Sequence, residues 1–128
     1  MTKKCIVAKD APSAIGPYSQ GVESNGMLFV SGQIPVDAKT GEVVSGGVAA
    51  QTERVLTNIR AIVEEAGLKM DDVVKTTVYL ADISKFAEMN EVYAKFFTSP
   101  FPARATVEVS NLPKSVGVEI DAVAARNK

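Results

Sequence analysis

Hydrophobic and polar positions change their period several times along this chain. Within Val48 to Ala66, the residues Val55, Leu56, Ile59, Ile62, Val63 and Ala66 recur at helical spacing, and Gly67 stops the run. Val73 to Leu80 is rich in β-branched residues and reads as a strand. Asp82 or Ser84 can cap a second helix over about Lys85 to Phe97, with Phe86, Met89, Tyr93 and Phe96 or Phe97 on its inner face. Ser99-Pro100-Phe101-Pro102 breaks it. Two runs of period two follow, Ala103 to Val109 and Val116 to Ala124. Upstream, Lys4 to Ala8 reads as a short strand. Ser19 to Glu23 and Met27 to Ser31 read as a hairpin across Ser24-Asn25-Gly26, where Asn-Gly favours positive φ. Gly16-Pro17-Tyr18 and Gly32 to Gly47 are loops, the second turning at Asp37 to Gly41.

Three strands, a helix, a strand, a helix and two strands predict an α+β domain over residues 1–128. Strands alternating with helices suggest crossovers onto one mixed sheet, with both helices on one face. In the last strand Val116, Val118, Ile120 and Ala122 share the face expected to meet the helices. Arg104, Thr106, Glu119 and Asp121 are then expected on the uncovered face. A surface so mixed in apolar and charged groups predicts self-association through it.

Composition removes most chemistries. The chain has 128 residues, 23% of them charged, with a net charge of −1. No run of six like charges occurs, so no nucleic-acid partner is expected. No apolar run approaches a membrane span. Met1-Thr2-Lys3-Lys4-Cys5 lacks the apolar core of a secretory signal. The single cysteine, Cys5, excludes an internal disulfide and reads as a small packed side chain, and a reducing, cytoplasmic setting is expected. There is no histidine, which excludes Ser-His-Asp and Cys-His catalysis and His-ligated metals within the chain. Gly41, Gly46 and Gly47 do not have the spacing of a phosphate loop. Any catalysis falls to carboxylates, Arg, Lys, Tyr, hydroxyls, backbone amides and water, and no metal or cofactor is expected.

Arg104 is the conspicuous residue. It lies in Phe101-Pro102-Ala103-Arg104-Ala105-Thr106-Val107-Glu108-Val109, a run that otherwise reads as a partly buried strand. An arginine among apolar neighbours needs an anion. Its planar fork suits a carboxylate, from a side chain or from a ligand.

Five segments occur together in order: Ile15-Gly16-Pro17-Tyr18-Ser19-Gln20, Val30-Ser31-Gly32-Gln33-Ile34-Pro35, Asn90-Glu91-Val92-Tyr93, Pro102 to Val109, and Leu112-Pro113-Lys114. In these the chain resembles the RidA/YjgF family over nearly its whole length. The resemblance implies a chorismate-mutase-like α+β fold and a homotrimer with ligand clefts between subunits. It also implies hydrolysis of 2-iminobutanoate and 2-iminopropanoate to 2-oxo acids and ammonia. Carried over position by position, it places the substrate-carboxylate arginine at Arg104 and the water-orienting glutamate at Glu119. It places substrate-binding positions at Tyr18, Ser31, Gly32, Asn90 and Thr106. The implied topology sets one strand between those of Arg104 and Glu119, about 10 Å apart from two strand spacings.

Each assignment has a plainer counterpart. Arg104 and Glu119 could form a structural ion pair. Tyr18 could anchor its loop through the hydroxyl, Ser31-Gly32 could be an ordinary strand end, and Asn90 could be a solvated helix residue. Two functions therefore stay open: an imine deaminase, and a non-catalytic protein that binds or senses small 2-oxo or amino acids. The family has also been linked to RNA cleavage, which the acidic balance and missing basic stripe disfavour.

Overall fold

The computed structural model describes residues 2–127, with six strands in one mixed sheet and two α-helices packed on it. The elements are β1 (Lys4–Ile6), β2 (Gly21–Ser24), β3 (Met27–Gln33), α1 (Val48–Glu65), β4 (Val73–Leu80), α2 (Phe86–Tyr93), β5 (Ala103–Glu108) and β6 (Val118–Ala125). Their order across the sheet is β1-β2-β3-β6-β4-β5. Only the β4–β5 pair is parallel, and α2 makes the crossover that a parallel pair requires. β6 enters antiparallel between β3 and β4, so the last strand completes the centre of the sheet.

The local signals account for these elements. Asn25 and Gly26 take φ of 55° and 75°, closing the β2–β3 hairpin as an Asn-Gly turn does. The α1 stripe of Val55, Leu56, Ile59, Ile62 and Val63 is fully buried. It packs against Leu28 and Val30 of β3 and Val118, Ile120, Ala122 and Ala124 of β6. Two buried amides tie loops to this frame. Asn58 donates from Nδ2 to the carbonyls of Ile34 and Val36. Gln20 accepts from the Ala8 amide and donates to the carbonyls of Ala8, Ala11 and Pro12. Gln20 thereby fixes the loop that carries Tyr18, since unmet carbonyls there would be costly.

The structure departs from the expectations in instructive places. α2 ends at Tyr93, not near Phe97, because Lys95 and Phe96 bond back only three residues ahead of the Ser99-Pro100 break. Cys5 is exposed, not packed. The largest departure concerns β5. Arg104 pairs in register with Thr76, and Thr76 with Ala122, on the helix-covered face. Arg104 and Thr106 therefore lie on the covered face, whereas Glu119 and Asp121 lie on the open one. The apolar set of β5 points the other way, and Val107 is 43% exposed on the open face. β5 is an edge strand beyond the reach of α1, so burial did not select its apolar side for the helices.

Candidate active site

Arg104 sits at the free edge of the sheet, where α2 overhangs it. Three side chains spaced i, i+4 and i+7 along α2 meet the guanidinium. Nη1 donates to Asn90 Oδ1 at 2.7 Å. The Tyr93 ring centroid is 4.7 Å from the guanidinium carbon, and that of Phe86 is 5.4 Å away. No carboxylate lies within salt-bridge distance of Arg104 among the described residues. The structural ion pair with Glu119 is thus not formed within the chain. Asn90, Tyr93, Ala94, Phe101, Pro102 and Arg104 line a cleft of about 380 Å³. Thr106 is half-buried two residues along the same face.

Glu119 occupies the opposite face, in register with Tyr79. Its carboxylate lies directly over Gly32, where a Cβ would collide with Oε2. The bulge in β3 between Val30 and Gln33 brings Gly32 under it. Burial pushes the Glu119 carboxyl above its ordinary range, and the charge of Asp121 adds to the effect. Asp121 accepts a 3.0 Å hydrogen bond from the Tyr79 hydroxyl, so the two carboxylates have different surroundings. A carboxylate poised in this way can hold a water and accept its proton.

The remaining expected positions divide between these places. Tyr18 is 52% exposed and lines, with Gly32, Ile15, Ile34 and Lys114, a second cleft of about 250 Å³. The Ser31 hydroxyl donates to the Ser19 carbonyl, and the Ser31 amide to the Gln20 carbonyl at 2.9 Å. Ser31 thus secures the Tyr18 loop through its own polar groups. The seven positions form two clusters: Arg104, Asn90 and Thr106 on the covered side, and Glu119, Gly32, Ser31 and Tyr18 with the open face and its flanking loop. Among the described residues, no three His, Cys, Asp or Glu side chains converge as a metal ligand set would. Sequence reasoning passed over Phe86 and Tyr93 as contacts of Arg104, although their helical spacing with Asn90 carried the signal. It also left out Lys114, which takes a φ of 57° and lines the same cleft as Tyr18.

A family model described as Endoribonuclease L-PSP matches residues 8–126. The chain belongs to the RidA/YjgF family. Within that family, the 2-iminobutanoate/2-iminopropanoate deaminase of Escherichia coli K12 is 54% identical over 126 residues, covering 96% of this chain and 98% of that protein. A Thermotoga maritima crystal structure superposes with a TM-score of 0.96 at 46% identity, covering 99% of this chain and 100% of that one. The structure of Escherichia coli TdcF with bound serine gives a TM-score of 0.92 at 46% identity, covering 97% and 99%. The RidA/YjgF fold is therefore the fold of this chain.

The Glu119–Gly32 contact yields a direct test. Gly32→Ala adds a methyl group where the carboxylate stands, and only the flexible end of Glu119 must move. The fold is expected to survive, with a melting temperature close to the parent's. If the Glu119 carboxylate takes part in the chemistry, turnover of a 2-imino acid is expected to fall by about 10–100-fold, because a displacement of about 1 Å misplaces a reacting group. Parent-like turnover would separate Glu119 placement from the chemistry.

Proposed function

We propose that this RidA/YjgF member hydrolyses reactive 2-imino acids, such as 2-iminobutanoate and 2-iminopropanoate, to 2-oxo acids and ammonia. The observation that supports it most is the half-buried guanidinium of Arg104, framed by Asn90, Phe86 and Tyr93 and lacking an acidic partner among the described residues. Such a group calls for an anion from outside, and the guanidinium donors not taken by Asn90 suit a planar carboxylate. The identity to Escherichia coli 2-iminobutanoate/2-iminopropanoate deaminase favours an imino acid as that anion's carrier.

The chemistry needs few groups. Arg104 fixes the substrate carboxylate and hence the electrophilic carbon beside it. Water held by Glu119 adds to that carbon, and its proton passes to the carboxylate. The proton then passes to nitrogen, giving a carbinolamine. Glu119 next carries the hydroxyl proton to nitrogen, the oxygen's electron pair closes the C=O bond as the C–N bond breaks, and ammonia leaves with a 2-oxo acid behind. The raised proton affinity of Glu119 serves both transfers.

Arg104 and Glu119 lie on opposite faces with β4 between their strands, so one chain does not bring them to one small substrate. The proposal therefore includes a homotrimer in which the Arg104 edge of one protomer meets the Glu119 face of its neighbour. The open face suits such a partner. Phe29, 49% exposed, lies in register between Val22 and Val123, forming an apolar row beside the charged one.

A second reading keeps the same site without turnover: a protein that binds small 2-oxo or amino acids. The serine held by TdcF supports it. One assay separates the two. A threonine dehydratase supplies the imine, semicarbazide traps it, and this protein is added. Semicarbazone formation is expected to fall with increasing protein. Unchanged trapping over a wide protein range would leave only the binding reading.

A further inference from the structure

Tyr93 is built differently from the other groups around Arg104. It is 5% exposed, and its hydroxyl shares a 2.7 Å hydrogen bond with Thr76 Oγ1, which is fully buried on β4. Its ring also packs on Phe97, with centroids 4.7 Å apart. The ring is thus fixed at its polar tip by the sheet and along its side by the chain beyond α2. Thr76 and Arg104 are register partners, so the strand pair that places Arg104 also places the hydroxyl that orients Tyr93. Phe86 lies farther from the guanidinium and has no such polar tether.

We propose that Tyr93 is a positioning residue for substrate binding: its face holds the guanidinium plane of Arg104 so that the donors not taken by Asn90 face the cleft. The proposal deepens the reading above and rests on its premise that Arg104 receives the substrate carboxylate. A free arginine side chain would have to give up much rotamer freedom when a carboxylate binds. One already stacked on a fixed ring and hydrogen-bonded at Nη1 gives up less, and the difference appears in affinity. Burial raises the pKa of the Tyr93 hydroxyl above its ordinary value, against the opposing pull of the Thr76 hydrogen bond and the Arg104 charge, so the ring stays neutral beside the cation. Because the carboxylate is held alike before and during reaction, the effect belongs in KM more than in kcat.

Three replacements at position 93 test this. Tyr93→Leu removes the ring. Tyr93→Phe keeps the face and releases the Thr76 tether. Incorporation of 3,4,5-trifluorophenylalanine keeps an aromatic ring, lacks the Thr76 tether as phenylalanine does, and weakens the π face, so it is read against Tyr93→Phe and guards against a variant that fails to fold. The first readout needs no ligand: the ring-current shift of the Arg104 Nε–H proton, assigned by its loss in Arg104→Lys. The second is KM and kcat for 2-iminobutanoate, with Kd for 2-oxobutanoate. Tyr93→Leu and the fluorinated ring are expected to reduce that shift and to raise KM and Kd by about 5–30-fold, the range of a desolvated cation–π contact. The kcat is expected to stay within about threefold. Tyr93→Phe should fall between these variants and the parent. An unmoved Arg104 signal, or a moved signal with parent-like KM and Kd, overturns the role of Tyr93. A parent protein that neither turns over nor binds these acids would instead overturn the premise about Arg104. In that case the Arg104 signal still reports whether Tyr93 holds the guanidinium, and the proposed role in substrate binding falls with its premise.

Discussion

Arg104→Ala and Glu119→Gln, each nearly inactive alone, are expected to recover imine hydrolysis when they assemble together. The expectation follows from topology. Arg104 faces the helix side on edge strand β5, and Glu119 faces the open side on β6, with β4 between them. A site that uses both must draw them from two protomers. In a trimer assembled at random from equal amounts, about a quarter of the sites then combine an intact Arg104 with an intact Glu119. The two variants would be mixed by co-expression and the recovered trimers identified by light scattering. Activity near a quarter of the parent's per site is the expected result. No recovery in well-formed mixed trimers would place both groups in one chain or remove one of them from the site. A stable monomer at micromolar concentration would remove the shared cleft altogether.

The same face assignment explains what the sequence did and did not disclose. The period of α1 and the β-branched run of β4 were legible because burial on one continuous core sets both patterns. The face of β6 was legible for the same reason, since Val118, Ile120, Ala122 and Ala124 are all buried under α1. β5 alternates equally well, but alternation gives two faces without saying which one is covered. Its apolar side faces away from the helices, and its polar side meets α2. An edge strand that contributes to an interface need not turn its apolar side to its own core. The motif positions were legible only through family resemblance, and resemblance does not assign them to faces. Asn90 shows the difference. In place of a solvated helix residue, it is the hydrogen-bond acceptor that holds Arg104. Ser31 shows the converse, because its hydroxyl is already spent on the Ser19 carbonyl.

Glu119→Gln is expected to separate binding from turnover. The amide keeps the size of the side chain and can still hold a water over Gly32, but it cannot accept a proton. Loss of a general base commonly costs about 10²–10⁴-fold in rate. Turnover of 2-iminobutanoate should fall by that order, while 2-oxobutanoate binds as in the parent or tighter, since a negative charge near the ligand carboxylate is gone. The parent's kcat should also fall on acidification, and the fall should begin at a higher pH than for an ordinary glutamate, because burial and Asp121 raise the carboxyl's proton affinity. Stability provides an independent reading with a fixed sign. A carboxyl whose folded pKa lies above its unfolded value contributes stability that is complete below the unfolded pKa and is lost as pH rises through the folded one. At neutral pH the ionised Glu119 is therefore a burden on the fold, and the glutamine variant should melt at or above the parent temperature. The gap should close as pH falls. Equal loss of binding and turnover, together with a lower melting temperature, would make Glu119 a structural support of the sheet. Unchanged turnover would leave Arg104 and the backbone amides to activate water by placement alone.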